Sequence, residues 1–412
     1  MTEKSLSKFG LIFTGQAFSL MGSRLVQFCL VWYLTLTSGS ATTLAIASMM
    51  ALLPQIVIGP IAGAYVDRWN RKRVMIIADT LVAFGVILLI LLFHFNLIQI
   101  WHIYLLMLLR AIGGAFHWPA MQASIPLIVP EKYLTRVSGL NQSLQGLASI
   151  IAPPLGALLL EFFPLQQILV VDVFTASMAI LPLLFMLIPQ PIREIKESQK
   201  ITQDLREAIS FALLWKGGLI VIVGAMLGNL LATPAFALVP LLVKDYFNGG
   251  AIELAYIQSA WGLGMVLGGG ALGVWGGFKR KVVTAMSATI LMGAGFIIVG
   301  LVPSTMFIVA VAAVFLAGLM NPIINGSLFA AVQTTVPSEM QGRYFTLLLS
   351  GSAAMTPVGL AIAGPFADFL GIRIWFQLGG IIFILLGLIS FFIPVIMKME
   401  DFKYQNMEVE DQ

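Results

Sequence analysis

The amino-acid sequence predicts an all-α membrane protein of twelve transmembrane helices, arranged as two pseudo-symmetric six-helix bundles. Three observations predict this fold class. Hydrophobic residues make up 59% of the 412 residues and charged residues only 10%, apolar segments of spanning length recur along the chain, and a basic loop pattern recurs in each half. A soluble domain has about 45–50% apolar and about 25% charged residues. The lipid bilayer is therefore the expected solvent.

The composition also excludes several classes of function. The single cysteine, Cys29, excludes an internal disulfide and a cysteine-bound metal cluster, and the three histidines are too scattered for a metal site. The formal charge of +4 is too small and too dispersed to indicate nucleic acid as a partner. No G-x-x-x-x-G-K-[ST] loop occurs, so ATP hydrolysis through such a loop is excluded. We expect no enzyme, no cofactor and no metal.

Each apolar segment of about 20 residues can cross roughly 30 Å of hydrocarbon as a helix. The first segment continues past the length of a signal-peptide core without a small-residue cleavage site, so we interpret it as a transmembrane helix. The predicted spans are 9–37, 41–66, 74–95, 101–128, 137–163, 166–189, 217–242, 252–277, 283–302, 305–332, 343–369 and 374–397.

The positive charges predict the orientation of these spans. With both termini in the cytoplasm, 19 of the 23 Lys and Arg residues fall in inner segments and two, Lys244 and Arg373, in outer loops. The remaining two, Arg24 and Arg110, lie inside spans. Because cytoplasmic loops carry the excess of Lys and Arg, we expect a multi-pass membrane protein with both termini in the cytoplasm.

A polar segment divides the chain into two halves. We predict a six-helix half at 1–189, a cytoplasmic linker with an amphipathic helix at 190–216, a second six-helix half at 217–397, and a disordered cytoplasmic tail at 398–412. The stripe of apolar residues that predicts the linker helix consists of Ile201, Leu205, Ile209 and Ala212.

An internal repeat supports the division. A Val-Pro pair is followed by an arginine six residues after the proline in both halves: Val129-Pro130 by Arg136, and Val336-Pro337 by Arg343. The two copies are 207 residues apart. The basic run that begins at Arg71 recurs near Lys279, at an offset of 208 residues. Two parallel halves of this kind are typical of one large class of secondary transporters.

The loop between the second and third predicted helices contains Gly63, Asp67, Arg68, Arg71 and Lys72 in a fixed spacing. It resembles the signature loop G-x-x-x-D-R-x-G-R-R/K of the major facilitator superfamily, with asparagine in place of the second glycine. The resemblance implies a conformational switch at this loop. Physically, a glycine permits close helix approach, and an aspartate is stabilised at a helix N-terminus.

We expect the bases of this loop to pair with nearby acids such as Glu131. Asp67 is expected to face the start of the eleventh spanning helix, near Arg343. The second-half copy has Trp275 where the aspartate would be, so only the first-half loop is complete.

Two spanning helices extend the resemblance. In the fourth, Arg110 and Gly114 are similar to the superfamily's R-x-x-x-G element, and a buried arginine marks a cavity or a partner because it is costly in lipid. The fifth is similar to the antiporter element G-x8-G-P-x-x-G of drug exporters, with alanine in place of one glycine. Its matching residues are Gly146, Pro153, Pro154 and Gly156.

Three stretches, Gly15–Leu20, Ala115–Ala120 and Asp245–Gly249, resemble the macrolide-efflux type of drug:proton antiporter. This resemblance covers essentially the whole chain. It implies proton-driven export of hydrophobic drugs across a bacterial cytoplasmic membrane by a monomer, with a small hydrophobic substrate, protons and the lipid bilayer as partners. Two alternatives stay open: a dedicated exporter of a natural cargo such as a siderophore or lysolipid, and a non-transporting membrane sensor or scaffold.

Proton coupling requires an intramembrane group that changes charge. Asp172 is the deepest acid, and we expect Arg24 to be its counter-charge. His117, on the same stripe as Arg110, and Glu161 are further candidates, whereas Asp79 is expected to be solvated near the inner end of its helix.

A hydrophobic cargo needs an apolar pocket with a few polar groups. In this superfamily the first, fourth, seventh and tenth helices usually line the cavity. The candidates on these helices are Gln27, Tyr33, Phe116, Trp118, Met121, Asn229, Phe236, Asn321, Asn325 and Phe329.

Overall fold

The computed structural model describes residues 6–66, 68–186, 188 and 201–401, so Asp67 and residues 402–412 lie outside the described part. Helices occupy nearly all of the described chain. They are α1 (Leu6–Ser38), α2 (Ala41–Val66), α3 (Arg71–His94), α4 (Ile100–Ile128), α5 (Leu134–Phe162), α6 (Leu165–Phe185), α7 (Ile201–Leu214), α8 (Lys216–Leu241), α9 (Ala251–Trp275), α10 (Lys281–Leu301), α11 (Phe307–Thr335), α12 (Ser338–Leu370), α13 (Ile372–Phe392) and α14 (Pro394–Met397).

The predicted fold class is confirmed. Within the described residues, 12 helices are long and apolar enough to cross a membrane, and they are α1–α6 and α8–α13. Their bounds lie within five residues of the predicted ones. The protein therefore has an all-α membrane fold, and its spanning helices lie where the apolar segments of the sequence predicted them.

Local sequence explains where several of these helices begin and end. Asn70 caps α3, because its side-chain oxygen accepts a hydrogen bond from the Arg73 backbone N–H at 3.1 Å. Both α4 and α11 end immediately before a Val-Pro pair, since the residue before proline is disfavoured in helical conformation. The sequence repeat thus marks the same structural boundary twice.

The chain forms two compact units. Unit 1 contains residues 1–194 and 243–259, and within it α1 packs on α5 and α6, while α3 packs on α4 and α6. Unit 2 contains residues 195–242 and 260–412, and within it α8 packs on α12 and α13, while α10 packs on α11 and α13. The two units therefore repeat one packing scheme, since α8, α10, α11, α12 and α13 pair as α1, α3, α4, α5 and α6 do.

The predicted linker helix is present as α7, and its buried face matches the predicted stripe at Ala212 but not at Ile209. Phe211 and Ala212 are buried against unit 2, whereas Ile209 is 42% exposed. The side chains of Ile201 and Leu205 lie outside the described residues. The helix docks on α12, where Glu207 forms an ion pair with Arg343.

The predicted disorder of the tail is wrong for its first residues. Met399–Asp401 form a turn of 3-10 helix, and Met399 is buried in unit 2. The Glu400 carboxylate accepts a hydrogen bond from the Val282 N–H in the first turn of α10 at 2.7 Å, and Asp401 lies 3.3 Å from Arg280. These acids occupy the N-terminus of α10, where negative charge is stabilised. Residues 402–412 of the predicted tail lie outside the described residues.

We predict that Glu400→Ala destabilises unit 2 more than Asp401→Ala does. The first change removes a charge-assisted hydrogen bond at a helix N-terminus, worth about 1 kcal/mol or more. The second removes an exposed ion pair, worth about 0–1 kcal/mol. Thermal unfolding of the two purified variants in detergent measures the difference. Equal melting temperatures for both variants would contradict the role given to Glu400.

Candidate functional site

A buried ion pair links three helices of unit 1. Arg110 Nη1 on α4 lies 3.2 Å from Asp172 Oδ2 on α6, and the side chains are only 12% and 3% exposed. Ser23 on α1 completes the cluster: its hydroxyl donates to Asp172 Oδ1 at 2.9 Å, and its carbonyl accepts from Arg110 Nη2 at 2.9 Å. Asp172 is therefore held by a guanidinium and a hydroxyl in the middle of the bundle.

The predicted pairing of Asp172 with Arg24 is wrong. Arg24 is exposed on the surface of the unit, and its Nη2 donates to Gln145 Oε1 on α5 at 3.1 Å. Consecutive helical residues point about 100° apart. Because Ser23 faces Asp172, the next residue of α1 turns away from α6 and toward α5.

A second buried pair joins α3 and α4. His117 Nε2 lies 3.4 Å from Asp79 Oδ2, and the side chains are 18% and 15% exposed. Within the described part of the chain, neither atom has an aligned hydrogen bond, and neither is accessible to solvent. Asp79 was predicted to be solvated near the helix end, but the packing of α3 against α4 brings it to His117 instead.

Glu161, the remaining candidate for proton coupling, is exposed in the last turn of α5. Among the described residues it forms no ion pair. Its role in coupling stays a prediction.

The bases of the signature loop contact helix ends instead of the predicted acid. Arg71 is 8% exposed and donates to the Ala123 carbonyl near the end of α4 at 2.6 Å. Lys72 donates to the Leu184 carbonyl in the last turn of α6 at 2.9 Å. Cations are stabilised at helix C-termini. Glu131 forms no ion pair among the described residues.

The other residues of the predicted switch are only partly described. Asp67 lies outside the described residues, and Arg68 is exposed. An added Cβ at Gly63 would meet no described atom within 4 Å, and the close helix approach predicted at this glycine stays a prediction. The partner of Arg343 in unit 2 is Glu207 of α7.

The glycine of the antiporter element does mark a close helix contact. A Cβ built on Gly156 would lie 2.8 Å from Phe28 Cδ1 and 3.3 Å from the Leu25 carbonyl, and the Cys29 thiol donates to the Gly156 carbonyl at 3.6 Å. α1 and α5 therefore touch at this glycine. In the arginine element, a Cβ on Gly114 would lie 3.4 Å from Gln55 Nε2 on α2.

The two prolines of the antiporter element leave carbonyls without their helical donors. Pro154 has no N–H, so the Ile150 carbonyl lacks its usual partner four residues on. The Ser259 hydroxyl on α9 donates to that carbonyl at 2.8 Å, within unit 1. Pro153 and Gly146 lie on the same helix, and Pro153 is buried.

We predict that Ser259→Ala lowers the free energy of unfolding by about 0.5–1.5 kcal/mol, because it leaves the Ile150 carbonyl without a donor. Ser177→Ala is the matched control, since that hydroxyl donates to the Val173 carbonyl of its own helix. Thermal unfolding of both variants in detergent tests the expectation. A control as destabilised as Ser259→Ala would rule it out.

The predicted cavity residues fall into two groups. Five pack against other side chains: Met121 in the core of unit 1, Phe116 on Trp69, Phe236 on Trp261 and Phe296, Phe329 on Phe345, and Tyr33 edge-on against Phe93. The other five are at least partly accessible, and they are Gln27, Trp118, Asn229, Asn321 and Asn325. Asn325 is exposed and donates to the Asn321 carbonyl at 3.0 Å.

Sequence reasoning missed three polar residues of these contacts, namely Ser23, Gln145 and Ser259. Each is an isolated, uncharged polar side chain within an apolar span. Because such residues form hydrogen bonds between helices in membranes, their polarity is the sequence signal that could have indicated these contacts. The sequence contains many of them, and only the packing of the helices selects these three.

Three comparisons relate the chain to known proteins. It is 34% identical over 405 residues to macrolide efflux protein A of Streptococcus pyogenes, with 95% of this chain and 97% of the relative covered. It is 25% identical over 386 residues to multidrug efflux pump Tap of Mycolicibacterium fortuitum, with 90% and 91% covered. A crystal structure of a POT family transporter in complex with a thioalcohol-conjugated peptide superposes with a TM-score of 0.71 at 14% identity, covering 93% of this chain and 95% of that one.

These likenesses and the twelve spans define a multi-pass membrane transporter. More specifically, the chain belongs to the Major Facilitator Superfamily, whose family profile matches residues 12–360. The resemblance first recognised in the signature loop and in α4 and α5 is confirmed at the level of the family.

Proposed function

We propose that the protein exports hydrophobic, macrolide-like drugs across a bacterial cytoplasmic membrane by proton antiport. The chain works as a monomer with both termini in the cytoplasm, and transport proceeds by alternating access. Near-full-length similarity to a macrolide efflux protein supports the cargo class. The single observation that carries the mechanism is the presence of buried ionisable pairs inside the spanning helices.

Intramembrane charges favour transport over a static role. A charged side chain at the bilayer centre costs about 2.5–3.5 kcal/mol on translocon scales, so such residues persist where they serve an ion or substrate path. A sensor or scaffold needs no such groups. Arg24 adds to this reasoning: an exposed guanidinium in the middle of a span is tolerated against a water-filled cavity, not against lipid.

In unit 1, the substrate site of this proposal includes the partly accessible candidates Gln27, Tyr33 and Trp118, with Arg24 and Gln145 at its polar side. The two rings and the amide offer ring surface and hydrogen bonds to an amphipathic drug. Asp67 and the bases beside it form the switch of this cycle.

Transport by purified protein in proteoliposomes tests the proposal. A proton gradient, acidic inside, should drive uptake of a radiolabelled macrolide into vesicles in which the cytoplasmic face points outward, and a protonophore should abolish it. The same assay with a siderophore and a lysolipid tests the dedicated-cargo alternative. Gradient-driven transport of one of these, without macrolide transport, would replace the proposed substrate. Absence of any gradient-driven flux would refute antiport.

A further inference from the structure

We propose that His117 and Asp79 together carry the proton of the transport cycle. This assignment rests on the antiport proposed above and names the residues that couple it. It takes the coupling role from Asp172, which lies against the Arg110 guanidinium and the Ser23 hydroxyl.

The first reason is the geometry of the pair. His117 Nε2 and Asp79 Oδ2 face each other at 3.4 Å, both atoms are inaccessible to solvent, and neither has an aligned hydrogen bond among the described residues. A buried polar atom without a hydrogen bond costs about 1–3 kcal/mol. A proton on His117 places a cation opposite the Asp79 carboxylate, and a hydrogen bond between charged partners is roughly twice as strong as a neutral one. The attraction across this contact therefore increases when the pair binds a proton.

The second reason is the contrast with Asp172. Its Oδ1 accepts a hydrogen bond from Ser23, its Oδ2 lies 3.2 Å from Arg110 Nη1, and its side chain is 3% exposed. Arginine stays protonated in proteins. A proton on Asp172 would therefore leave the Arg110 guanidinium buried without a counter-charge. The His117–Asp79 pair contains no such permanent cation, and histidine is the side chain whose charge ordinarily changes between about pH 5 and pH 8.

The third reason is that the described residues of the packed helices place no fixed charge next to the pair. On the packed elements, α2 contains no Asp, Glu, Lys, Arg or His, and α6 contributes Asp172, which is paired with Arg110. On α1, Arg24 faces Gln145, and the Lys8 side chain lies outside the described residues. The remaining charged or titratable groups of the two helices themselves are Arg71, Lys72, Arg73, His94, His102, Tyr104 and Arg110.

The nearest permanent cations along the helices still lie more than one turn away. Arg73, Lys72 and Arg71 precede Asp79 by six, seven and eight residues, and Arg110 precedes His117 by seven, which corresponds to roughly 9–12 Å along each axis. Arg71 and Lys72 are also engaged with the Ala123 and Leu184 carbonyls, and Arg110 is engaged with Asp172.

The proton balance of the step is simple. With the proton bound, the pair is imidazolium and carboxylate, with no net charge. After release, it is neutral imidazole and carboxylate, with one negative charge. One proton enters from the acidic side and leaves to the other side as one drug molecule moves in the opposite direction. No bond other than the N–H bond forms or breaks.

The experiment uses full-length His117→Gln and Asp79→Asn proteins in proteoliposomes. Both changes replace the ionisable group by a neutral amide: Asp79→Asn keeps the side-chain shape, and His117→Gln keeps a polar side chain of similar length. Gradient-driven uptake of a radiolabelled macrolide should be lost, whereas exchange of labelled for unlabelled macrolide without a gradient should persist. The dependence of this exchange on pH, measured from pH 5 to pH 8, should flatten in both variants. The double variant His117→Gln with Asp79→Asn leaves no unpaired charge. It therefore tests the loss of gradient-driven uptake if one of the single variants is unstable.

His94→Gln is the matched control, since His94 is an exposed histidine at the end of α3. It should keep both gradient-driven uptake and the wild-type pH profile. Gradient-driven uptake that survives in His117→Gln or Asp79→Asn would overturn the assignment. A parallel loss of exchange and driven uptake in the double variant would assign the pair a packing role and would also overturn it. A wild-type protein that exchanges macrolide but ignores the gradient refutes the proposed antiport itself, which separates the two failures.

Discussion

Replacing Gly156 by leucine is expected to abolish macrolide transport while the protein is still inserted in the membrane. A Cβ at this position already lies 2.8 Å from Phe28 Cδ1 and 3.3 Å from the Leu25 carbonyl, and leucine adds three further carbons. Phe28 and Cys29 are buried, so they have little room to move. Overpacking a tight core costs about 1–3 kcal/mol or more, and here it forces α1 away from α5.

The separation of these helices has a second consequence for the polar cluster. Arg24 and Ser23 lie on α1 about one turn from Leu25 and Phe28, so a displaced α1 also disturbs the Gln145 and Asp172 contacts. We therefore expect a larger loss of transport than the packing energy alone would give. Surface expression, macrolide binding and gradient-driven uptake should be measured together.

Gly139→Leu is the matched control on the same helix. A Cβ on Gly139 would meet no described atom within 4 Å, so this variant should retain transport and thermal stability. Gly156→Ala, which adds the Cβ alone, should give an intermediate loss. Wild-type uptake by a well-expressed Gly156→Leu protein would show that the contact between α1 and α5 is not required.

The sequence predicted the helices well because their signals are local. Apolar length located the spans, and a Val-Pro pair marked the ends of α4 and α11. The same local reasoning located α7 and the apolar face at Ala212, but it missed Phe211, which is buried against α12, a helix more than a hundred residues away. Local periodicity does not report such a partner.

The partners within the candidate site required the packing of the helices. Counting intramembrane charges correctly singled out Asp172, Arg110 and Arg24 as unusual, but it paired the acid with the wrong arginine. The choice depends on the rotation of α1, α4 and α6 about their axes, which a difference of one residue changes by about 100°. The pair of His117 with Asp79 was missed for the same reason.

The corrected pairing leads to a second prediction with a large effect. Asp172→Asn and Arg110→Gln should each destabilise the protein severely, because each leaves one buried charge without its partner. Breaking a buried ion pair by removing one partner typically costs about 3–5 kcal/mol. Both single variants should therefore show low expression and a lowered melting temperature in detergent.

The double variant Arg110→Gln with Asp172→Asn should recover most of the lost stability, since two neutral amides replace the pair and keep a hydrogen bond to Ser23 within reach. Arg24→Gln with Asp172→Asn is the matched control. It leaves Arg110 unpaired, so it should be as unstable as Asp172→Asn alone. Rescue by the Arg24 change would restore the pairing first predicted from the sequence.

Transport by the rescued double variant then distinguishes a structural role of Asp172 from a role in proton coupling. If His117 and Asp79 carry the proton, the Arg110→Gln, Asp172→Asn protein should still take up macrolide in response to a proton gradient, at a rate reduced only by its altered packing. The ratio of gradient-driven uptake to gradient-free exchange is the quantity to compare, because it cancels differences in expression and in affinity for the drug. A wild-type ratio places Asp172 in the scaffold of the bundle. A ratio that falls to one in a stable double variant places the coupling proton on Asp172 instead.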